Sequence, residues 1–444
     1  MDFPSRGSRS RFIHLLVATA AFLTVLSTVP PALRAESFLL LATYDGVITP
    51  VAAEYLHDAL LSAQESGALA LVIRLNTPGG LDPSMRLIIK DITGATVPVV
   101  VYVSPPSGRA ASAGVFITMA AHVAAMAPGT NIGAAHPVAM GGGEMDKTMK
   151  EKVENDSVAY LKSIAERRGR NVAWAEDAVR KSVSVTEREA LKLKIIDLVA
   201  DDLPALLKQL DGRSVLLPAG PTILHTTGAS LREFPMGLRL EFLKTLSDPN
   251  IAYLLMTIGT IGIIAELYNP GAILPGVVGA ISLILAFYSL QSLPVNYAGV
   301  LLFLLGILFF ILEATVTSFG LLAIGGVISM LLGSVMLIKT DVEFLQISWS
   351  VILPVVALTA AFSLLIVGMG VKAMRRPPVT GREEMIGLVG IVKTALTPYG
   401  QLAVHGELWR AFSEQPLQPG DEAEITAVDG LCVHVKAPSK KKEV

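Results

Sequence analysis

At 444 residues the chain is long enough for two or three domains, and 52% hydrophobic residues with a mean hydropathy of +0.57 are too apolar for an ordinary soluble protein, so part of it belongs in a membrane. A net charge of −2 supplies no global attraction to nucleic acid. The single cysteine, Cys432, excludes an intramolecular disulfide, and its alternating apolar surroundings read as core.

The chain opens with Arg6, Arg9 and Arg11, an apolar run from Phe12 to Val29, then Pro30, Pro31 and the small Ala35. This is the layout of a secretory signal peptide over residues 1–35, so the following domain is expected to be exported. From Ser37 onward short β-rich runs alternate with amphipathic helices. Phe38–Thr43, Leu69–Leu75 and Val97–Val103 read as strands, Val51–Ser66 and Pro83–Thr93 as helices. That alternation argues an α/β fold with right-handed crossovers.

The strand at Leu69–Leu75 ends in Asn76-Thr77-Pro78-Gly79-Gly80. Consecutive glycines after a buried strand can turn their amides toward a ligand, which makes Gly79 and Gly80 candidates for an oxyanion hole. Downstream, Ser104–Pro137 begins with a Pro/Gly turn and places Ser112 among Ala110, Ala111, Ala113 and Gly114 before an apolar helical run. A nucleophile attacking a polypeptide needs such small walls, because a bulky neighbour would block the approach. Close packing at the start of a buried helix is the competing reading.

The combined strings LNTPGG, GRAASAG and APGTNIGAAHP resemble the membrane-bound ClpP-class serine proteases of the NfeD family, the operon partners of stomatin-like proteins. The resemblance runs through the membrane segments and the tail. It implies a ClpP/crotonase-like fold for the first domain.

After a short strand at His122–Met126 and turn residues Pro128 to Gly133, the run Gly141–Gly143 suits a movable edge over a cleft. A helix from Glu144 to Arg168 then carries four lysines. Lys147, Lys150 and Lys152 lie among acidic residues, as on a solvated face, whereas helical spacing sets Lys162 with Val158 and Ala165. Periodicity alone leaves Lys162 open between a general base and a snorkelling surface residue. The resemblance selects it, in the context Tyr160-Leu161-Lys162-Ser163, as partner of Ser112. His136 is the alternative base, lacking an evident Asp partner. Thr186 reads as an N-cap before an amphipathic helix with no catalytic role.

Residues 36–225 are thus expected to form the protease domain, and 226–250 a linker with an amphipathic segment at the bilayer surface. Apolar stretches at 251–267, 272–291, 298–315, 319–338 and 349–371 suggest about five membrane helices over 251–371. Five spans after an exported domain put the C-terminus in the cytoplasm, and Lys372, Arg375 and Arg376 agree. Glu266 and Glu313 fall at span edges and read as interfacial. Residues 380–438 alternate in short runs with turn glycines, as in a small β-barrel, and resemble the OB-like domain ending NfeD proteins. Sparse aromatics and no basic groove beyond Lys440–Lys442 favour protein binding over nucleic acid.

The expected function is a membrane-anchored serine endopeptidase of a bacterial inner membrane with a Ser112–Lys162 dyad. The resemblance implies apolar peptide substrates and a stomatin-type (SPFH) partner, and ClpP-like analogy implies at least a dimer. No HExxH, zinc spacing or phosphate loop occurs, so no metal or cofactor is expected. A non-catalytic scaffold for SPFH assemblies is the alternative. A crotonase-type acyl-CoA enzyme is disfavoured by export.

Overall fold

The computed structural model describes residues 37–138, 146–268, 271–291, 293–316, 318, 320–340, 342, 345–374 and 382–438. The expected signal peptide, Gly141–Gly143, the helix start at Glu144, Arg375, Arg376 and Lys440–Lys442 lie outside the described residues. The chain divides into two compact units, one of residues 1–309 with 324–358, the other of 310–323 with 359–444.

The first unit begins with β1 (Phe38–Asp45), α1 (Pro50–Glu65), β2 (Leu71–Asn76), α2 (Asp82–Gly94) and β3 (Val99–Val103). β4 (Arg109–Ala111), α3 (Ala113–Ala120), β5 (Val123–Met126), β6 (Asn131–Gly133), α4 (Lys147–Arg167), α5 (Val172–Arg180), β7 (Ser184–Thr186), α6 (Glu187–Lys192), β8 (Leu198–Val199) and α7 (Leu203–Leu210) follow. Next come a hairpin of β9 (Ser214–Leu217) and β10 (Gly220–Ile223), then β11 (Ser230–Phe234). Six strands form an all-parallel sheet in the order β11-β1-β2-β3-β5-β8, and β4, β6 and β7 form a smaller one. β3 is five consecutive buried apolar residues because helices cover both sheet faces. Alternate residues serve two cores: Ile73 and Val101 pack toward α1 to α5, Val72 and Val100 toward α7.

Within residues 226–250, expected as a linker with an amphipathic segment, Ser230–Phe234 complete the sheet as β11. β11 pairs with β1 from Phe38↔Ser230 to Ala42↔Phe234, and Tyr55 Oη donates to Phe234 O at 2.7 Å. A pairing across so long a stretch of chain leaves no trace in local periodicity. The amphipathic helix α8 (Leu238–Leu246) buries Leu240 and Leu246, and Arg239 pairs with Glu54 of α1 at 2.5 Å.

Five apolar helices follow: α9 (Pro249–Tyr268), α10 (Leu274–Leu290), α11 (Tyr297–Thr315), α12 (Leu321–Met336) and α13 (Trp349–Met374). Among the described residues one segment, Pro249–Leu267, is long and apolar enough to cross a membrane by length and composition, and the other apolar segments are shorter. α9 and α10 meet backbone to backbone: a Cβ on Gly279 would lie 2.7 Å from Ile263 N, so only glycine permits that approach. The Glu266 carboxylate accepts from Gly271 N–H at 3.2 Å.

In the second unit Glu313 accepts from the Gly320 and Ala323 amides at 2.9 and 3.1 Å. After α14 (Arg382–Met385), strands β12 (Val389–Thr394), β13 (Tyr399–Val404), β14 (Glu407–Phe412), β15 (Glu422–Asp429) and β16 (Cys432–Lys436) close a barrel in the order β12-β13-β14-β16-β15. The expected mixed α/β domain, helical region and C-terminal barrel are therefore all present. Cys432 is corrected from core to half-buried: the inward positions of β16 are Val433 and Val435, and strand alternation turns Cys432 away from them.

Candidate active site

A glycine-bearing turn and strand β6 meet at Ser112. The turn leaves β2 and is held by Thr77 N–H donating to Arg109 O at 2.8 Å and Ala111 N–H to Thr77 O at 3.1 Å. Gly79 lies there at φ +125°, a region that L side chains rarely adopt, and a Cβ on it would sit 2.8 Å from Ser112 Cβ. A Cβ on Gly80 would meet the Ile48 backbone at 2.3 Å. Both glycines are thus required by space.

Ser112 itself has φ 50° and ψ −113°, costly for a residue with a Cβ. Its N–H donates to Gly133 O at 3.1 Å. It occupies the N-cap of α3, yet its side chain makes no capping hydrogen bond, so the hydroxyl is not spent on the helix. The far end of α3 is fixed by arginines, whose charges suit a helix C-terminus. Arg168 Nε donates to Ala120 O at 2.7 Å, and buried Arg170 donates to Met119 O while pairing with Asp197 at 2.6 Å. Burial, together with Arg168, Arg170 and Arg167, pushes neighbouring His122 down to about 3.

Ser112 opens into a cavity of about 910 Å³. Leu81, Met85 and Phe116 supply apolar wall, Gly80 and Ala113 supply backbone, and His136, Lys152 and Ser157 supply polar groups. Tyr44 also lines it, its hydroxyl donating to Val47 O at 2.6 Å, and burial pushes that phenol up to about 12, so it stays neutral.

The structure does not bring Lys162 to this cavity. Its Nζ donates to Glu176 Oε2 of α5 at 2.9 Å, and that bond, with one from Arg180, lowers the Glu176 carboxyl. The lysine lining the cavity is Lys152, which sequence reading assigns to the solvated face. The two lie ten positions apart on α4, hence about 80° apart around the helix. The overlooked signal was the neighbourhood of Lys152: Val153 and Ser157 line the same cavity. Asp156, one turn on, pairs with Arg86 of α2 at 2.5 Å, and Arg86 also holds Asp82 at 2.8 Å and covers the Tyr160 ring. Burial opposes the Arg86 charge, but both carboxylates outweigh it and raise its pKa.

His136 does reach the cavity. Its Nδ1 lies 2.9 Å from Val179 O, a carbonyl that can only accept, so the ring donates from Nδ1. Of the two turn glycines, Gly79 donates its amide to Thr77 Oγ1 at 3.1 Å. A hydroxyl, a lysine amine and an amide-rich turn around one cleft are the parts needed for acyl transfer.

Three family descriptions match successive segments: the NfeD1b N-terminal domain over residues 45–206, the NfeD integral membrane domain over 250–369, and the NfeD-like C-terminal, partner-binding domain over 382–436. The membrane-bound protease PH1510 of Pyrococcus horikoshii is 35% identical over 420 residues, covering 92% of this chain and 95% of that one. The membrane protein NfeD1b of Bacillus subtilis is 27% identical over 416 residues, covering 86% and 89%. Among solved structures, the 1510-N membrane protease specific for a stomatin homolog from Pyrococcus horikoshii is 32% identical, covering 48% of this chain and 100% of that one with a TM-score of 0.43.

Proposed function

The chain belongs to the NfeD family, and we propose that it is a membrane-bound serine endopeptidase whose nucleophile is Ser112 and whose general base is Lys152. The observation supporting this reading is the strained Ser112, close against Gly79 with its hydroxyl making no capping bond to its helix, in one cavity with Lys152. Ser112 Oγ attacks the scissile carbonyl as the Lys152 amine takes its proton. Lys152 then returns that proton to the leaving amine, and water releases the acyl group by the same relay. Because the Gly79 amide is engaged with Thr77, the oxyanion falls to the amides of Gly80 and of Ala113, the latter at the α3 N-terminus, where first-turn amides lack intrahelical partners. Gly79 serves by letting the turn approach Ser112. His136 orients substrate, and Lys162 has a structural role with Glu176.

The substrate class is apolar peptide, and the partner a stomatin-type SPFH membrane protein. The protease class is supported by the PH1510 relationship and the binding of a partner by the partner-binding description of residues 382–436, while the apolar and stomatin identities follow the resemblance carried by the LNTPGG and GRAASAG strings. In this reading the domain that carries Ser112 is extracytoplasmic, runs to Phe234 and works as at least a dimer, the helices from Pro249 to Met374 span the membrane, and the barrel is cytoplasmic.

The test is fluorophosphonate labelling and apolar-peptide cleavage by native chain, Ser112→Ala, Lys152→Ala, Lys162→Ala and His136→Ala. Loss confined to the Ser112 and Lys152 variants is expected. Loss with Lys162→Ala but not Lys152→Ala reverses the base assignment, and a folded native chain that neither labels nor cuts leaves the scaffold as the function.

A further inference from the structure

The cavity at Ser112 is not walled by the α/β domain alone. Lys244 and Ser247 at the end of α8, Asp248, and Pro249, the first residue of α9, also line it, as do Leu293, Val342 and Leu345 from the loops after α10 and α12. These pieces form one block. Asn296 N–H donates to Leu337 O at 2.8 Å and Lys339 N–H to Pro294 O at 3.0 Å, which ties the two loops together. Ser348 N–H donates to Asn250 Oδ1 at 2.8 Å, and Ser289 Oγ donates to Leu246 O, which ties them to the α8–α9 junction. α8 is anchored to the α/β domain by Leu240 in its core and by Arg239 on Glu54. The wall is therefore held at a set distance from Ser112 rather than resting beside it.

Two features identify an occupant. Leu293 and Leu345, only 9% and 8% exposed, are apolar loop residues, and with Val342 they line the same cavity as Leu81, Met85 and Phe116. Pro249 opens the helix long enough to cross a bilayer, so the cavity reaches the level at which the chain enters the membrane. Its volume of about 910 Å³ is near the top of the range of about 300–1,000 Å³ for ligand clefts, enough for a stretch of peptide.

We propose that Leu293, Val342 and Leu345 form an apolar substrate subsite contributed by the membrane domain, and that it takes the membrane-proximal segment of an anchored polypeptide, presenting to Ser112 a bond close to the bilayer surface. This rests on the protease reading. Specificity then comes from the membrane domain as well as from the domain that carries the nucleophile.

The experiment uses the full chain in nanodiscs, with Ser112→Ala to prevent turnover and p-benzoylphenylalanine in place of Leu293, Leu345 or, as the α/β-side reference, Met85. The probe is a biotinylated peptide rich in Ala, Val and Leu. Photoadducts from all three positions, suppressed by unlabelled peptide, are expected. Adducts from Met85 without any from Leu293 or Leu345 overturn the inference and leave the protease reading standing. Absence at all three, with no fluorophosphonate labelling of Ser112 in the native chain, defeats both readings; the same absence with normal labelling defeats the inference alone. In kinetics, Leu345→Ala should cut kcat/KM for that peptide about tenfold and Leu345→Met restore most of it. An unchanged kcat/KM in Leu345→Ala also overturns the subsite.

Discussion

Replacing Gly79 by alanine probes the contact on which the site is built. The new Cβ would stand 2.8 Å from Ser112 Cβ and 3.3 Å from Oγ, and the residue would hold a φ of +125°. The backbone term costs about 1–3 kcal/mol. The contact cannot be relieved by Ser112, which is pinned by its N–H on Gly133 O and its carbonyl on Val115 N–H, so the Thr77–Gly80 turn must move. That displacement carries the Gly80 amide away from the oxyanion position. Loss of one such donor is worth roughly a hundredfold to a thousandfold in rate. We expect Gly79→Ala to remain folded at a lower melting temperature and to label with fluorophosphonate at least about a hundredfold more slowly. Gly67→Ala is the control: its φ is +68° with nothing within 4 Å, so it bears the backbone cost without touching the site. Labelling of Gly79→Ala within about threefold of native, or equal loss in Gly67→Ala, would refute the reasoning.

Lys162→Ala breaks a half-exposed pair with Glu176, so it should cost at most about 1 kcal/mol in urea unfolding and leave peptide cleavage close to native. His122, at about 3 in the folded chain against an ordinary 6.5, binds its proton in the unfolded state first. Stability should therefore fall as pH drops from about 6.5 toward 3, by no more than roughly 4–5 kcal/mol, and His122→Gln should flatten that loss in melts across the range. Thr186→Ala removes the capping box with Glu189 and should lower stability by about 1 kcal/mol without changing labelling of Ser112. Arg86→Leu releases α4 from α2 at Asp156, and the labelling rate should fall more than the melting temperature suggests, since Lys152 lies one turn away.

The sequence by itself determined the elements whose signal is local. β3 is legible as five apolar residues, the Thr186 cap from its spacing to Glu189, the barrel from alternating runs, and the close approach of the chain at Ser112 from its small neighbours, since small side chains are needed wherever a backbone must come close. Tertiary structure decided what depends on a partner far along the chain. Helical periodicity sets Lys162 with the buried Val158 and Ala165, but a lysine stem is long enough for its amine to follow a carboxylate, and it pairs with Glu176 on the next helix. Lys152 is exposed, as its charged neighbours imply, but that it also lines a cavity could not be read locally, because the cavity is assembled from α2, α3 and the membrane-domain loops. Likewise the pairing of β11 with β1 and the apolar wall at Leu293 and Leu345 exist only once the chain has closed on itself, because each is a contact between segments whose order along the chain says nothing of their distance in space.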